Sequence, residues 1–461
     1  MAGPAVAAPK LELDDIQGLV LRAYGERPWA SYVFLRVVEP ARARATLRDL
    51  LDDRVLTTGA QVVAPAHARP EERVQLALSH HGLVRLGIDE ETRSTFAPEF
   101  QGGMAEITRA RRLGDRGESA PSEWELGGAE HELDVLLCLF AATEEQRNQL
   151  ATRYLERTQP ALALVSRQDT TPHRGDREHF GFRDGISQPL MHGDPAGERG
   201  VAADRIAAGE FLLGYPNEYG KLTSGPRRPD GTDLGRNGSY LVFRKLEQDV
   251  AAFWRSFHEA SGGVAHEAER LAAKCVGRWP SGAPVTLTPD RDDPHLGRNS
   301  AHNNSFGFLE HDALGRSCPI AAHVRRSNPR DAKTASASDS LMLVRRRRIL
   351  RRGRLYGPHT NELRPTVGDG KRRGLYFVAL NANIGRQFEF LQQTWLNNPK
   401  FGGLTDDRDP VVAQAEHPGS ASLPALPFRR RLDGLPRFVT VRGGEYFFLP
   451  GLAALDRLLA K

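Results

Sequence analysis

The sequence predicts an α+β protein in which an antiparallel sheet with helices on one face is built twice. Three observations predict it. A strand-and-helix segment near the start recurs later in the chain, a second strand-and-helix pair closes each half, and a stretch dense in Gly, Pro, Asp and Asn lies between the halves.

The first repeat pairs SYVFLRVVE, residues 31–39, with SYLVFRKLE, residues 239–247. Both are β-branched and aromatic runs of strand character, and Ser, Tyr, Arg and Glu recur at matching offsets. Each runs into a helical pattern, PARARATLRDLL in the first half and QDVAAFWRSFHEA in the second. The second repeat pairs 133–158 with 374–398, each a buried strand followed by an amphipathic helix. Between them lies further strand material such as ERVQLALSHHGLVRLGI, residues 72–88. The junction is EYGKLTSGPRRPDGTDLGRNG, 218–238. A chain of 461 residues also exceeds one ordinary core, so two domains are expected, 1–225 and 226–461, each with its own sheet.

Composition narrows the functional classes. Apolar content of 39% with 26% charged residues is that of a folded soluble protein, and no apolar run is long enough to span a bilayer. MAGPAVAAPKLELDD lacks the basic and apolar regions of an export signal, and three cysteines without a C-x-x-C pair fit a reducing compartment. Cytoplasmic residence, with no membrane partner, is the expectation. A net charge of +5 is weak for nucleic-acid binding. The one basic run, RRRRILRR at 345–352, has no aromatic RNA-binding run or Gly-x-x-Gly clamp beside it, so no nucleic-acid partner is expected. Ile349 and Leu350 interrupt the run, which implies one buried face and an inward arginine.

Three segments carry chemistry. GFRDG, 181–185, sets Asp184 in a loop shaped by two glycines, where it is either a turn-capping carboxylate or a proton shuttle. CPIAAHVRRSNPR, 318–330, places His323 after two small residues that let a bulky group approach. Cys318 and His323 alone make no zinc motif. The arginine run supplies a cation. A loop carboxylate, a loop imidazole and an inward arginine are the parts a haem peroxidase requires.

Taken in order, GFRDG, AHVRRSNPR and ILRRGRLYG resemble the signature segments of the dye-decolourising peroxidase family, and the resemblance runs from residue 14 to residue 395. It implies two ferredoxin-like domains with one haem b held between them. It also implies reduction of hydrogen peroxide, with oxidation of dyes and other aromatic or phenolic donors through an oxo-iron(IV) intermediate.

Carried over residue by residue, Asp184 is the acid-base group, His323 the iron ligand and Arg351 the arginine beside the peroxide, with Arg352 open as the alternative register. Glu389 is the expected acceptor of the ligand imidazole N–H. Leu375 and Phe377 cover the haem face, Gly185, Ile186 and Ser187 follow its edge, and Arg330 meets a propionate. Gly353 stands where relatives carry Ser or Asn. Trp254, Trp279, Trp395, Tyr240 and Tyr376 are candidate radical sites or core aromatics. The other reading is a protein that binds haem or releases its iron with little peroxidase turnover, which would not need Asp184 together with Arg351. Monomer and homo-oligomer both remain open.

Overall fold

The computed structural model describes residues 9–128, 131–196, 205–414, 419–425 and 427–460. The first eight residues, on which much of the export-signal reading rests, lie outside them. The first half contains β1 (Trp29–Val37), α1 (Pro40–Asp52), β2 (Arg73–Ser79), β3 (Val135–Ala141), α2 (Glu144–Thr158) and β4 (Leu162–Asp169). The second contains β5 (Ser239–Gln248), α3 (Val250–Ala260), α4 (Ala265–Val276), α5 (His323–Ser327), α6 (Ala337–Arg345), β6 (Leu350–Arg351), β7 (Arg354–Tyr356), β8 (Gly374–Asn381) and β9 (Val439–Leu449). A last helix, α7, spans Leu452–Leu459.

Local chemistry explains the elements. Pro40 opens α1, whose buried Ala43, Leu47 and Leu50 recur at helical spacing. Thr143 and Gln146 form a capping box at the start of α2. Residues 72–88 are strand only as far as Ser79, whose hydroxyl accepts the Gly82 N–H at 2.9 Å and starts a short helix, His80–Arg85.

The strands of the first half lie in the order β4-β1-β3-β2 and those of the second in the order β9-β5-β8-β6, with β7 also pairing β8. Both read fourth-first-third-second, all antiparallel, which is the ferredoxin-like order. The expectation of one sheet per half is corrected. Ser79 pairs Phe447 and Leu78 pairs Phe448, so β2 and β9 join the units into a nine-stranded sheet. Each would otherwise present a longer edge of unpaired backbone groups, and the two-residue join closes part of both.

Period-two alternation sorts the two faces. Val33, Leu76, Leu137, Val242 and Ala379 pack with α1, α2 and α7 on one face, while Phe34, Leu136, Phe243, Val378 and Phe447 pack with the N-terminal segment on the other. Continued along the second half's strands, the helical face passes from Val242 to Arg244, Leu246 and Gln248, and from Ala379 to Phe377 and Leu375. There a cavity takes the place of the packed core.

Candidate active site

The floor of the cavity comes from adjacent strands in register: Phe377 stands opposite Arg244, Leu375 opposite Leu246, and Val441 and Val439 continue from β9. The cavity measures about 310 Å³, and Val276, Val324, Leu391 and Leu396 add apolar wall.

The Asp184 loop is fixed from within. Gly181, at φ +92°, donates to the Glu178 carbonyl at 2.8 Å, and Glu178 N–H donates to the Phe182 carbonyl at 3.0 Å. The Glu178 carboxylate accepts the Phe180 and Phe182 N–H groups, both at 2.9 Å, and the Gln248 amide at 2.8 Å. Phe180 stacks on Phe253 of α3 with ring centroids 4.4 Å apart. Asp184 therefore leaves a braced turn, and its Oδ1 receives its neighbour's Gly185 N–H at 2.6 Å.

Arg351 Nη1 donates to the same Oδ1 at 3.3 Å. Gln188 brackets the Arg351 backbone, accepting its N–H and donating to its carbonyl, both at 3.2 Å. Alternation along β6 separates the two candidate arginines. Arg351 lines the cavity, whereas Arg352 points to the other face and donates to the carbonyls of Leu19 and Val20, both at 2.7 Å. Burial pushes the Asp184 carboxyl up. The Arg351 guanidinium, the Gly185 N–H and the nearby His173 and His323 more than offset it and hold the group below the usual carboxylate range.

His323 opens α5 and lines the same cavity. Its Nδ1–H donates to Asp409 Oδ2 at 2.9 Å, and Asp409 Oδ1 accepts the N–H groups of Val411 and Val412, both at 2.9 Å. Burial opposes a charged imidazole, but the Asp409 carboxylate prevails and raises its pKa. Asp409 in turn is lowered despite burial. The residual exposure of the His323 and Asp184 side chains, 29% and 35%, opens into the cavity.

The assignment of Glu389 is corrected. It does not line the cavity, and its Oε1 accepts Arg109 Nη1 at 2.9 Å and the Tyr446 hydroxyl at 3.0 Å. The physical reason is the helix that carries it. Gly385–Glu389 and Leu391–Leu396 are π-helical, with Glu389 N–H bonded five residues back to Ile384, and the carboxylate so placed meets Arg109 and Tyr446 rather than His323. The carboxylate at the imidazole is Asp409, which sequence reasoning missed.

Gly185, Ile186, Ser187, Arg330, Leu375 and Phe377 all line the cavity. Arg330 adopts φ +52° and lies 4.1 Å over the Phe306 ring, with Nη2 on Asn304 Oδ1 at 2.8 Å. Arg348, beside it on the cavity wall, donates to the Ser187 carbonyl at 3.2 Å. Gly353 is packed so that a Cβ would come 2.9 Å from the Tyr376 carbonyl oxygen. Arg347 also turns inward, 3.9 Å over the Phe390 ring and on the cavity wall, whereas Arg346 lies 3.9 Å over the exposed ring of Tyr219. Trp254, Trp279, Trp395, Tyr240 and Tyr376 are all core residues with 3% exposure or less.

The arrangement joins a carboxylate–arginine pair and a carboxylate-anchored imidazole on one largely apolar cavity. No family-level sequence profile matches the chain. Individual proteins do. It is 32% identical to the multifunctional dye peroxidase DyP2 of Amycolatopsis sp., over 97% of this chain and 96% of that protein. The chain belongs to the dye-decolourising peroxidases. The peroxidase is also 31% identical to the dye-decolorizing peroxidase of Mycena epipterygia, over 98% of this chain and 87% of that one. Among solved structures, an ancestral D-type dye-decolorizing peroxidase superimposes with a TM-score of 0.83 at 30% identity, covering 98% of the peroxidase and 100% of its own chain. A dye-decolorizing peroxidase in complex with 2,6-dimethoxyphenol superimposes with a TM-score of 0.81 at 27% identity, with the same coverage. Among the described residues no helix is long and apolar enough to cross a membrane.

Proposed function

We propose that the peroxidase holds one haem b in this cavity, with His323 on the iron, reduces hydrogen peroxide there and takes electrons from aromatic and phenolic donors. The observation that carries the proposal is the meeting of Asp184–Arg351 and His323–Asp409 on a single cavity. The residues present fit the group. The apolar floor of Leu375, Phe377, Leu246 and Val441 suits a macrocycle, Gly185, Ile186 and Ser187 suit its edge, and Arg330 and Arg348 suit its carboxylates. With Nδ1 engaged by Asp409, Nε2 is the nitrogen offered to the metal.

Bound haem supplies the redox chemistry, accepting the oxidising equivalents of peroxide and passing them to donors. The chain supplies the rest. Asp184 takes the proton from one peroxide oxygen and returns it to the other, which leaves as water. Arg351 stabilises the negative charge that develops as the O–O bond parts. Asp409 keeps the ligand imidazole oriented and strengthens its basicity. In total, one hydrogen peroxide and two donor molecules AH give two waters and two radicals A•. The dimethoxyphenol complex of a structural neighbour supports phenolic donors. Three free, buried cysteines support cytoplasmic residence.

Reconstitution with haem tests the reading. The expected holoprotein shows a Soret band and consumes peroxide with 2,6-dimethoxyphenol as donor. A holoprotein that binds haem but turns over no peroxide would instead be a haem-handling protein.

A further inference from the structure

Two neighbouring arginines follow His323 on α5, and the fold treats them differently. Arg325 meets a carboxylate, with Nη1 on Asp312 Oδ2 at 3.1 Å. Arg326 is fully buried, at 0% exposure, yet among the described residues no carboxylate pairs with it. Its acceptors are carbonyls. Nη1 donates to Trp395 and Asn398, at 2.6 and 3.0 Å, and reaches Leu396 at 3.4 Å, while Nη2 donates to Asp407. The guanidinium also lies 5.1 Å over the Phe401 ring. An apolar side chain of similar volume would avoid the desolvation of a buried charge, so what the arginine adds is this set of hydrogen bonds.

The acceptors belong to the two segments that place Asp409. Asp409 N–H donates to the Leu396 carbonyl at 3.0 Å, the same oxygen that Nη1 reaches, and Asp407 stands two residues earlier in the loop. Asp407 is itself fixed, its carboxylate accepting the Ser422 N–H at 3.0 Å and the Ser420 hydroxyl at 3.3 Å. Arg326 follows His323 by three residues, close to one turn, and so shares its face of α5. One guanidinium thus ties the helix carrying the imidazole to both segments that carry its acceptor. The planar fork of arginine spans two segments at once, whereas the single nitrogen of lysine does not.

We propose that Arg326 is a positioning residue, a clip that sets the register of α5 against the Asp409 loop and so holds the His323–Asp409 hydrogen bond. The inference rests on the haem reading above and adds a residue that acts on the iron through Asp409. That hydrogen bond draws the imidazole proton towards the carboxylate and makes the ring a more basic ligand, which favours ferric iron. Loosening the clip weakens the bond and favours ferrous iron.

Two measurements test it. In the holoprotein, R326M should shift the ferric–ferrous equilibrium about tenfold towards ferrous, which is about 59 mV for one electron. The iron–imidazole stretching frequency in resonance Raman should fall, and both readouts should move towards those of D409N. R326K keeps the charge without the fork and should move both the same way, over part of the distance. In the D409N background R326M should change neither. Wild-type values in R326M or in R326K, or a full shift on adding R326M to D409N, would overturn the proposal. F401L, which alters only the ring against the guanidinium, serves if R326M does not fold: a smaller shift in the same direction is expected, and no shift would overturn the clip. The second measurement is amide hydrogen exchange on the full chain, which needs no haem. R326M should speed exchange at Asp409, Val411 and Val412 about tenfold and leave β1 and β3 unchanged. A wild type that bound no haem would defeat the peroxidase reading, while exchange would still decide the clip, and unchanged exchange would overturn it.

Discussion

The two sheets share a strand order, yet the cavity is built on only one of them. In the first half β2 and β3 are buried along their whole length, and helices and the N-terminal segment close both faces. In the second, β8 is half-exposed at Leu375 and Phe377, where its helical face meets the cavity. The difference lies in the connections. Residues 38–72 join the first two strands of the first sheet, whereas residues 249–349 join their counterparts and carry His323. Asp184 sits in the link between the halves. The repeated sheet is mostly scaffold: Asp184, His323 and Asp409 lie on the connecting segments laid on it, and Arg351 comes from the short strand β6.

The comparison breaks most completely at His323. His323→Ala should lose nearly all haem on gel filtration, with collapse of the Soret band, while the first sheet keeps the protein folded by circular dichroism. Wild-type haem content in this variant would move the ligand elsewhere. Asp409→Asn keeps the side chain's shape but removes the charge that holds the imidazole, and should cost about tenfold to a hundredfold in haem affinity or peroxide turnover. An unchanged titration curve would make Asp409 a loop anchor only.

Two further substitutions sharpen the division between scaffold and site. Leu137→Ala, in the fully buried β3, should cost about 2–5 kcal/mol of stability in denaturant unfolding and leave the peroxide step per haem unchanged. A slowed peroxide step would couple the first sheet to the chemistry. Glu389→Gln should cost less, about 1–3 kcal/mol through the weakened Arg109 contact, with an unaltered Soret band. A shifted band would return Glu389 to the imidazole.

What the sequence revealed follows from how each residue is specified. Strand alternation and the repeated segments made both sheets legible, and Asp184, His323 and Arg351 lie in short runs whose neighbours mark them. The two-residue join of β2 to β9 was not legible, because an edge strand has no pattern naming its partner. Asp409 sits in TDDRDPVV with Asp406 and Asp407 close by, and only the folded loop distinguishes the one whose carboxylate meets Val411, Val412 and His323. Glu389 misled because it was carried over by resemblance, and a matched segment does not show that its π-helical turn gives the carboxylate to Arg109 and Tyr446. Glu178 escaped notice as well: it braces the Asp184 loop, and burial pushes its carboxyl up to about 7, although three donors oppose this.

The central claim is that Asp184 moves the peroxide proton beside Arg351. Its depressed pKa keeps it ionised on the acidic side of neutrality, so the base is lost only as pH falls through that lowered value, and the first peroxide step should persist well into acidic pH. The direct measurement is stopped-flow observation of the first peroxide step in Asp184→Asn, which preserves size and haem content while removing the base. The account predicts a rate lower by roughly two or more orders of magnitude across that pH range. A wild-type rate would contradict it, leaving Asp184 a turn residue and Arg351 the group that assists O–O cleavage.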